Sequence, residues 1–303
     1  MTDLIDALRA GSALIGDAAK IARLPGDAEK GAGKAADATA KYTVQLASGE
    51  RTFLIVSSAG NPDLAARAAR NIAAIRARLS PATAAPVAEP LETGTAQGLS
   101  YTLWPMLTPW PEGRLTRFIA KRRTEPQVLA WLLALMRETK APMTEASKAR
   151  ALHYLARVEG DTAHSDAARR CAGEAAGRIA QGHWAPVTCV QHSDLWLGNV
   201  MLAPEGARGG FRVIDWAGAR LEGYPFFDLG RFAISCGTSG ARLRRAIMEG
   251  LRACDSACPG ITPYVLCALG QIGDDLEHFP EAMFRAMLRD TVAFSLRVDE
   301  GLA

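Results

Sequence analysis

The sequence predicts an α+β fold in two lobes, a small β-sheet N-lobe with one helix and a larger, mainly helical C-lobe. Three observations carry this. Between residues 41 and 108, β-prone runs surround one stretch of helix length. Beyond "TPWPEG" the chain turns to long alanine- and leucine-rich segments with helical spacing. Within that helical part, one pair of apolar runs flanks a glycine-rich turn. The expected boundaries are a helix and loop extension at 1–40, the N-lobe at 41–108 and the C-lobe at 109–303.

The first 40 residues hold a short amphipathic stretch, "LIDALRAGSALIGDAAKIARL", and then the loose "PGDAEKGAGKAADATA". The latter fails as a Walker loop: Ala35 follows Gly33-Lys34 where a hydroxyl belongs, and Ala28 stands where the first glycine belongs. "KYTVQLASGERTFLIVSS" reads as two strands around the turn "ASGE". "NPDLAARAARNIAAIRARLS" reads as a helix, with Asn61 able to cap, Pro62 suited to the first position, and Leu64, Ile72, Ile75 and Leu79 largely on one face. A proline- and alanine-rich loop follows, then the strand "LSYTLWPML". "PQVLAWLLALMRET", "EASKARALHYLARV" and "SDAARRCAGEAAGRIA" each have helix length and helix formers, and the chain from Phe227 onward is mostly helical.

Bulk properties narrow the function. A hydrophobic fraction of 49% supplies a core and argues against disorder. With 35 basic against 32 acidic residues, the net charge of +3 is too balanced to argue for nucleic acid or an anionic membrane. Apolar runs such as "VLAWLLALM" are too short to span a bilayer, and Asp3 and Asp6 stand where a secretory signal carries positive charge, so the cytoplasm is expected. The 6 cysteines include no CxxC pair and no histidine at finger spacing; free thiols in a reducing compartment are the expectation, for Cys254 and Cys258 as well.

The tripeptide His-Ser-Asp occurs twice. At 164–166 it precedes an alanine-rich helical run, so Ser165 or Asp166 reads as an N-cap. At 192–194 it opens "HSDLWLGNVML", a turn and a short strand, with "FRVIDWAG" as the partner strand. That pair sets Asp194, Asn199 and Asp215 on neighbouring strand-loop elements. Phosphoryl transfer from a nucleotide needs an aspartate to orient or deprotonate the accepting hydroxyl, and hard oxygen ligands for Mg²⁺.

"HSDLWLGN" followed by "IDW" resembles the aminoglycoside phosphotransferase and choline kinase family, small-molecule relatives of the protein kinases. The resemblance implies a protein-kinase-like fold, ATP and Mg²⁺ as cofactors and a small-molecule hydroxyl as acceptor. It implies Asp194 as the catalytic base, Asn199 and Asp215 as metal ligands, and His192 as a structural brace of the catalytic loop. It also implies Asp228, in "YPFFDLGRF", as an acid beginning a helix behind that loop, and the backbone near Met106 and Leu107 as the hinge that meets adenine. Ser193 replaces the family's usual glycine.

One part of the pattern is missing. Kinase-like folds hold the nucleotide phosphates with a lysine on the third strand paired to a glutamate on the following helix. Here that place falls near Ile55, no lysine occurs between Lys41 and Lys121, and Ala68 stands about where the glutamate belongs. Arg51, Lys41, Arg67 and Arg70 are the candidate substitutes, Arg51 being assigned to the cofactor site. The acidic stretch with Asp274, Asp275, Glu277 and Glu281 is a candidate for the acceptor or an exposed loop and helix start. Two readings follow: an ATP-dependent kinase of a small molecule such as an aminoglycoside, sugar or amino alcohol, or a nucleotide-binding or inactive relative that regulates or scaffolds a protein partner.

Overall fold

A computed structural model describes residues 2–16, 20–24, 39–203, 210–254, 260–276 and 281–302. The N-terminal layer is a five-stranded antiparallel sheet in the order β1-β2-β3-β5-β4. Its strands are β1 (Lys20–Arg23), β2 (Ala40–Gln45), β3 (Arg51–Val56), β4 (Glu92–Ala96) and β5 (Leu99–Pro105). α1 (Thr2–Gly11) and β1 join this layer although they precede residue 41. Period-2 alternation sorts the side chains. Tyr42, Val44, Leu54, Val56, Tyr101 and Leu103 pack with Leu8 of α1 on one face. Phe53, Ile55 and Trp104 turn to the other, toward Ile72 and Ile75 of α2 (Leu64–Arg76) and the main core.

α2 starts later than its sequence suggests. The N-cap position is Asp63, not Asn61, and it makes no side-chain cap bond. Pro62 is not the first helical residue: it lies in the turn before α2, where its carbonyl accepts from Ser100 N of β5 at 2.8 Å. The helix's free N–H groups are satisfied from the sheet: Ala65 N donates to Ser57 Oγ at 2.9 Å and Ala66 N to Ser100 Oγ at 3.2 Å. The proline- and alanine-rich stretch that reads as a loop contains the single turn α3 (Pro81–Ala84), capped by Ser80, and the polar strand β4. β4 lacks apolar alternation. It forms because Gln97 and Gly98, both at positive φ (51° and 75°), close a tight hairpin onto β5.

The C-terminal layer is helical: α4 (Arg114–Thr139), α5 (Glu145–Gly160), α6 (Asp166–Ala180), α7 (Phe227–Cys236), α8 (Gly240–Ala253), α9 (Thr262–Gly273) and α10 (Glu281–Glu300). α5 packs on α6 and α9, α4 on α8, and α10 on α9 and α7. Ser165 caps α6 by accepting from Ala168 N, so the first His-Ser-Asp is a helix start. The expected hairpin is β8 (Val200–Leu202) with β9 (Phe211–Val213). A second small sheet, β10-β7-β6, is not legible beforehand; it joins β6 (Ala141–Pro142), β7 (Val187–Gln191) and β10 (Arg220–Gly223). Trp131 of α4 meets Phe211 and Trp216 edge-on, at centroid distances of 5.9 and 6.3 Å, and so seats the hairpin on the helical core. Among the described residues, no helix is long and apolar enough to cross a membrane.

Candidate active site

β7 delivers the chain into His192-Ser193-Asp194, and the loop is held from behind. Asp228, in the first turn of α7, accepts from His192 N at 2.6 Å and from Ser193 N at 3.0 Å. Burial pushes the Asp228 pKa up to about 7, against the pull of those two donors toward the ionised form. His192 is buried. Its Nε2 donates to the Ile214 carbonyl at 2.8 Å, while Nδ1 accepts from Asp194 N at 3.3 Å. One ring nitrogen donating and the other accepting describes a neutral imidazole, and burial lowers its pKa accordingly. The histidine ties the His192–Asp194 loop to the segment just past β9 that carries Asp215. Ser193 takes a left-handed φ of 73°, the conformation that glycine adopts without steric cost.

Asp194 is half-buried with its carboxylate toward Arg231 of α7, whose guanidinium lies 3.6 Å away. Asn199 Nδ2 donates to the Asp194 carbonyl at 2.8 Å and to its Oδ2 at 3.2 Å. Burial raises the Asp194 pKa to about 6; Arg231 lowers it, and the Asp215 charge raises it further. A carboxylate poised there is a competent proton acceptor near neutral pH.

Asp215 sits just past β9 with a left-handed φ of 66°, which aspartate tolerates. Its neighbour Trp216 is fully buried, stacks beside His192 at 4.5 Å and donates Nε1 to the Val213 carbonyl at 3.0 Å. Ile214 N donates to the Asn199 carbonyl at 3.0 Å, which joins the two metal-ligand candidates through adjacent backbone. With its amide nitrogen committed to Asp194, Asn199 has Oδ1 to offer a cation. A carboxylate and an amide oxygen are the hard donors that Mg²⁺ takes.

The N-terminal layer reaches this site at two points. Asn71 of α2 donates to the carbonyls of Trp216 and Ala217, and the segment after α3 pairs with β9 through Ala88 N to Val213 O and Val213 N to Pro86 O. Met106 and Leu107 follow β5 as the connection between layers, where Leu202 N bonds to Thr108 O. Trp110 Nε1 donates to Leu197 O and Val200 O, so this tryptophan packs the connection against the segment around Asn199, and Trp104 is core. Arg51 opens β3 on the same face as Phe53 and Ile55 but at the opposite end of the strand.

Arg231 and Asn71 escape the sequence reading. Arg231 had a signal, since three residues after Asp228 is one helical turn along the same face. Asn71 is a lone polar residue beside Ile72, and nothing local announces its partners. In the acidic stretch, Asp274 pairs with Arg157, Asp275 with Arg220 at 2.9 Å, and Glu281 with Arg285 at 2.6 Å. Glu277, Cys258 and the Gly31-Ala32-Gly33 stretch lie outside the described residues; the described cysteines, 171, 189, 236, 254 and 267, form no disulfide with one another.

Solved structures of similar fold include a macrolide 2'-phosphotransferase type I, 16% identical, with 96% of this chain and 95% of that one covered at a TM-score of 0.53. A choline/ethanolamine kinase family protein from Mesorhizobium loti is 16% identical over 98% and 94% of the two chains, at 0.52. A choline kinase from Streptococcus pneumoniae is 10% identical over 92% and 93%, at 0.50. No curated protein matches the chain in sequence. Residues 33–261 match the phosphotransferase enzyme family, a span that includes the His192–Asp194 loop, Asp215 and α7, and the chain belongs to that family, with its protein-kinase-like fold.

Proposed function

We propose that the chain transfers a phosphoryl group from ATP to a hydroxyl of a small molecule, with Asp194 as the base and Asn199 and Asp215 as the Mg²⁺ ligands. The observation that carries this is Asn199: its side-chain nitrogen fixes Asp194, and its backbone carbonyl accepts from Ile214 N, next to Asp215. Asp194 orients the acceptor hydroxyl and takes its proton, and Asn199 and Arg231 hold that carboxylate in place. His192 and Asp228 keep the loop's shape without touching reactants. Mg²⁺, when bound, supplies positive charge to the phosphate oxygens. Met106 and Leu107 offer backbone groups to the adenine edge. This reading assigns the protein to the cytoplasm. An aminoglycoside, a sugar or an amino alcohol is the class of acceptor proposed.

Calorimetric titration with ATP, with and without Mg²⁺, tests the reading in the wild type and in Asp215→Ala. Metal-dependent binding that the substitution removes supports it. If the wild type fails to bind millimolar ATP in Mg²⁺, the enzyme reading is wrong. The missing strand lysine and helix glutamate then favour a regulator or scaffold, to be pursued through a protein partner.

A further inference from the structure

β2 and β3 run antiparallel with Lys41 directly opposite Ile55. Tyr42 and Val44 of β2 point to the α1 face together with Leu54 and Val56 of β3. Alternation therefore puts Lys41 and Thr43 on the other face, with Phe53 and Ile55, on the side where α2 and the main core lie. Directly opposed residues on one face have Cβ atoms about 4.5–5.5 Å apart, which is within the span of a lysine's four-carbon arm. Leu24 N donates to the Lys41 carbonyl at 2.9 Å, so the backbone at this residue is paired on both sides.

We propose that Lys41 is the phosphate-anchoring cation of this protein, moved one strand across the sheet from the position that Ile55 occupies. The inference rests on the nucleotide reading above and names the residue that completes it. It also accounts for the paired loss of lysine and glutamate. Position 55 is half-buried and packs on the core. An ammonium placed there is partly desolvated, and a carboxylate beside it offsets that cost. Lys41 is exposed. It keeps its hydration until a phosphate replaces the water, so it needs no acidic partner on α2, and α2 has no glutamate. Arg51 also faces this side, but it stands at the far end of β3, about 13 Å from Ile55 at strand rise. The position of Lys41 beside Ile55 on the core-facing side of the sheet, rather than sequence order along β3, singles it out.

The test is titration of the full chain with ATP and with adenosine in Mg²⁺, for the wild type, Lys41→Met and Lys41→Arg. Because Lys41 is exposed, neither substitution disturbs the core. Lys41→Met is expected to raise the Kd for ATP about ten- to a hundredfold, the worth of a charge-assisted hydrogen bond. Adenosine affinity should stay unchanged, and Lys41→Arg should retain most of the ATP affinity. If the wild type binds ATP and Lys41→Met binds it equally well, the assignment to Lys41 is overturned while the nucleotide reading stands. An equal loss for ATP and adenosine would overturn it too, because that reports damage to the sheet. No binding by the wild type removes the nucleotide reading itself, and the anchoring role falls with it.

Discussion

Asn71 of α2 donates its side-chain amide to the backbone carbonyls of Trp216 and Ala217, at 3.0 and 3.2 Å, so the one long helix of the N-terminal layer holds the loop that carries Asp215. In a fold where the lysine-glutamate pair is absent, this amide is a direct polar link between α2 and the Asp215 loop. Asn71→Ala leaves those carbonyls without their donor. It should lower the unfolding free energy by about 1–3 kcal/mol and weaken the Mg²⁺ dependence of nucleotide binding. Urea unfolding and ATP titration measured together check both; an unchanged Mg²⁺ effect would confine Asn71 to a packing role.

Asp194→Asn preserves size and the approach of Asn199 but removes the proton acceptor. Phosphoryl transfer should fall by about 10²–10⁴-fold, the usual contribution of a general base, while the Kd for Mg²⁺-ATP changes little. Rapid-quench measurement of transfer to a found acceptor decides it. Turnover within a few-fold of wild type would remove Asp194 from the role of base.

Ser193 holds φ at 73° with a Cβ that resists that conformation, and its Oγ accepts from Gln191 Nε2 at 3.2 Å. Glycine relieves the backbone but loses the hydrogen bond and adds freedom to the unfolded chain, so Ser193→Gly should gain at most about 1 kcal/mol. Ser193→Val puts a β-branched side chain in the left-handed region and should cost more than about 1 kcal/mol. The order Gly, Ser, Val in thermal unfolding is the expected result.

Asp228 makes a pH prediction. Burial raises its folded pKa to about 7, above the unfolded carboxylate value of about 3.9. Between those values the native state binds the extra proton, so this group's contribution to stability falls as pH rises from 4 to 7, by up to about 1.4 kcal/mol per pH unit, and is level above that. The stability difference between wild type and Asp228→Asn, followed by urea unfolding from pH 4 to 8, should therefore shift against the wild type across that window. A difference that moves the other way would mean that the two backbone donors outweigh burial and keep Asp228 ionised.

The hairpin around "ASGE", the long helices and the β8–β9 pair were legible because each rests on local signals: turn residues, apolar period and capping. Strands β4 and β7 were not. β4 has little apolar content and exists because a tight turn folds it onto β5, and β7 lies between helices and is completed by β10, a partner distant in sequence. The α2 start was misread for a related reason: its first-turn N–H groups are met by Ser57, just past β3, and by Ser100 of β5, which no local window around Asn61 contains.

By itself, the sequence determined the family and named the candidate residues of the site. The order and spacing of Asp194, Asn199 and Asp215 are read from the chain alone, and the family they suggested is the one whose model matches residues 33–261. Tertiary structure alone decided how those residues are supported: Arg231 against Asp194, Asn71 on the Trp216 loop, and Lys41 across from Ile55. The reason is physical. Spacing along the chain follows local periodicity, whereas a hydrogen bond from a helix to a distant loop, or the face a strand residue presents, is set only when sheet register and helix packing bring separate segments together.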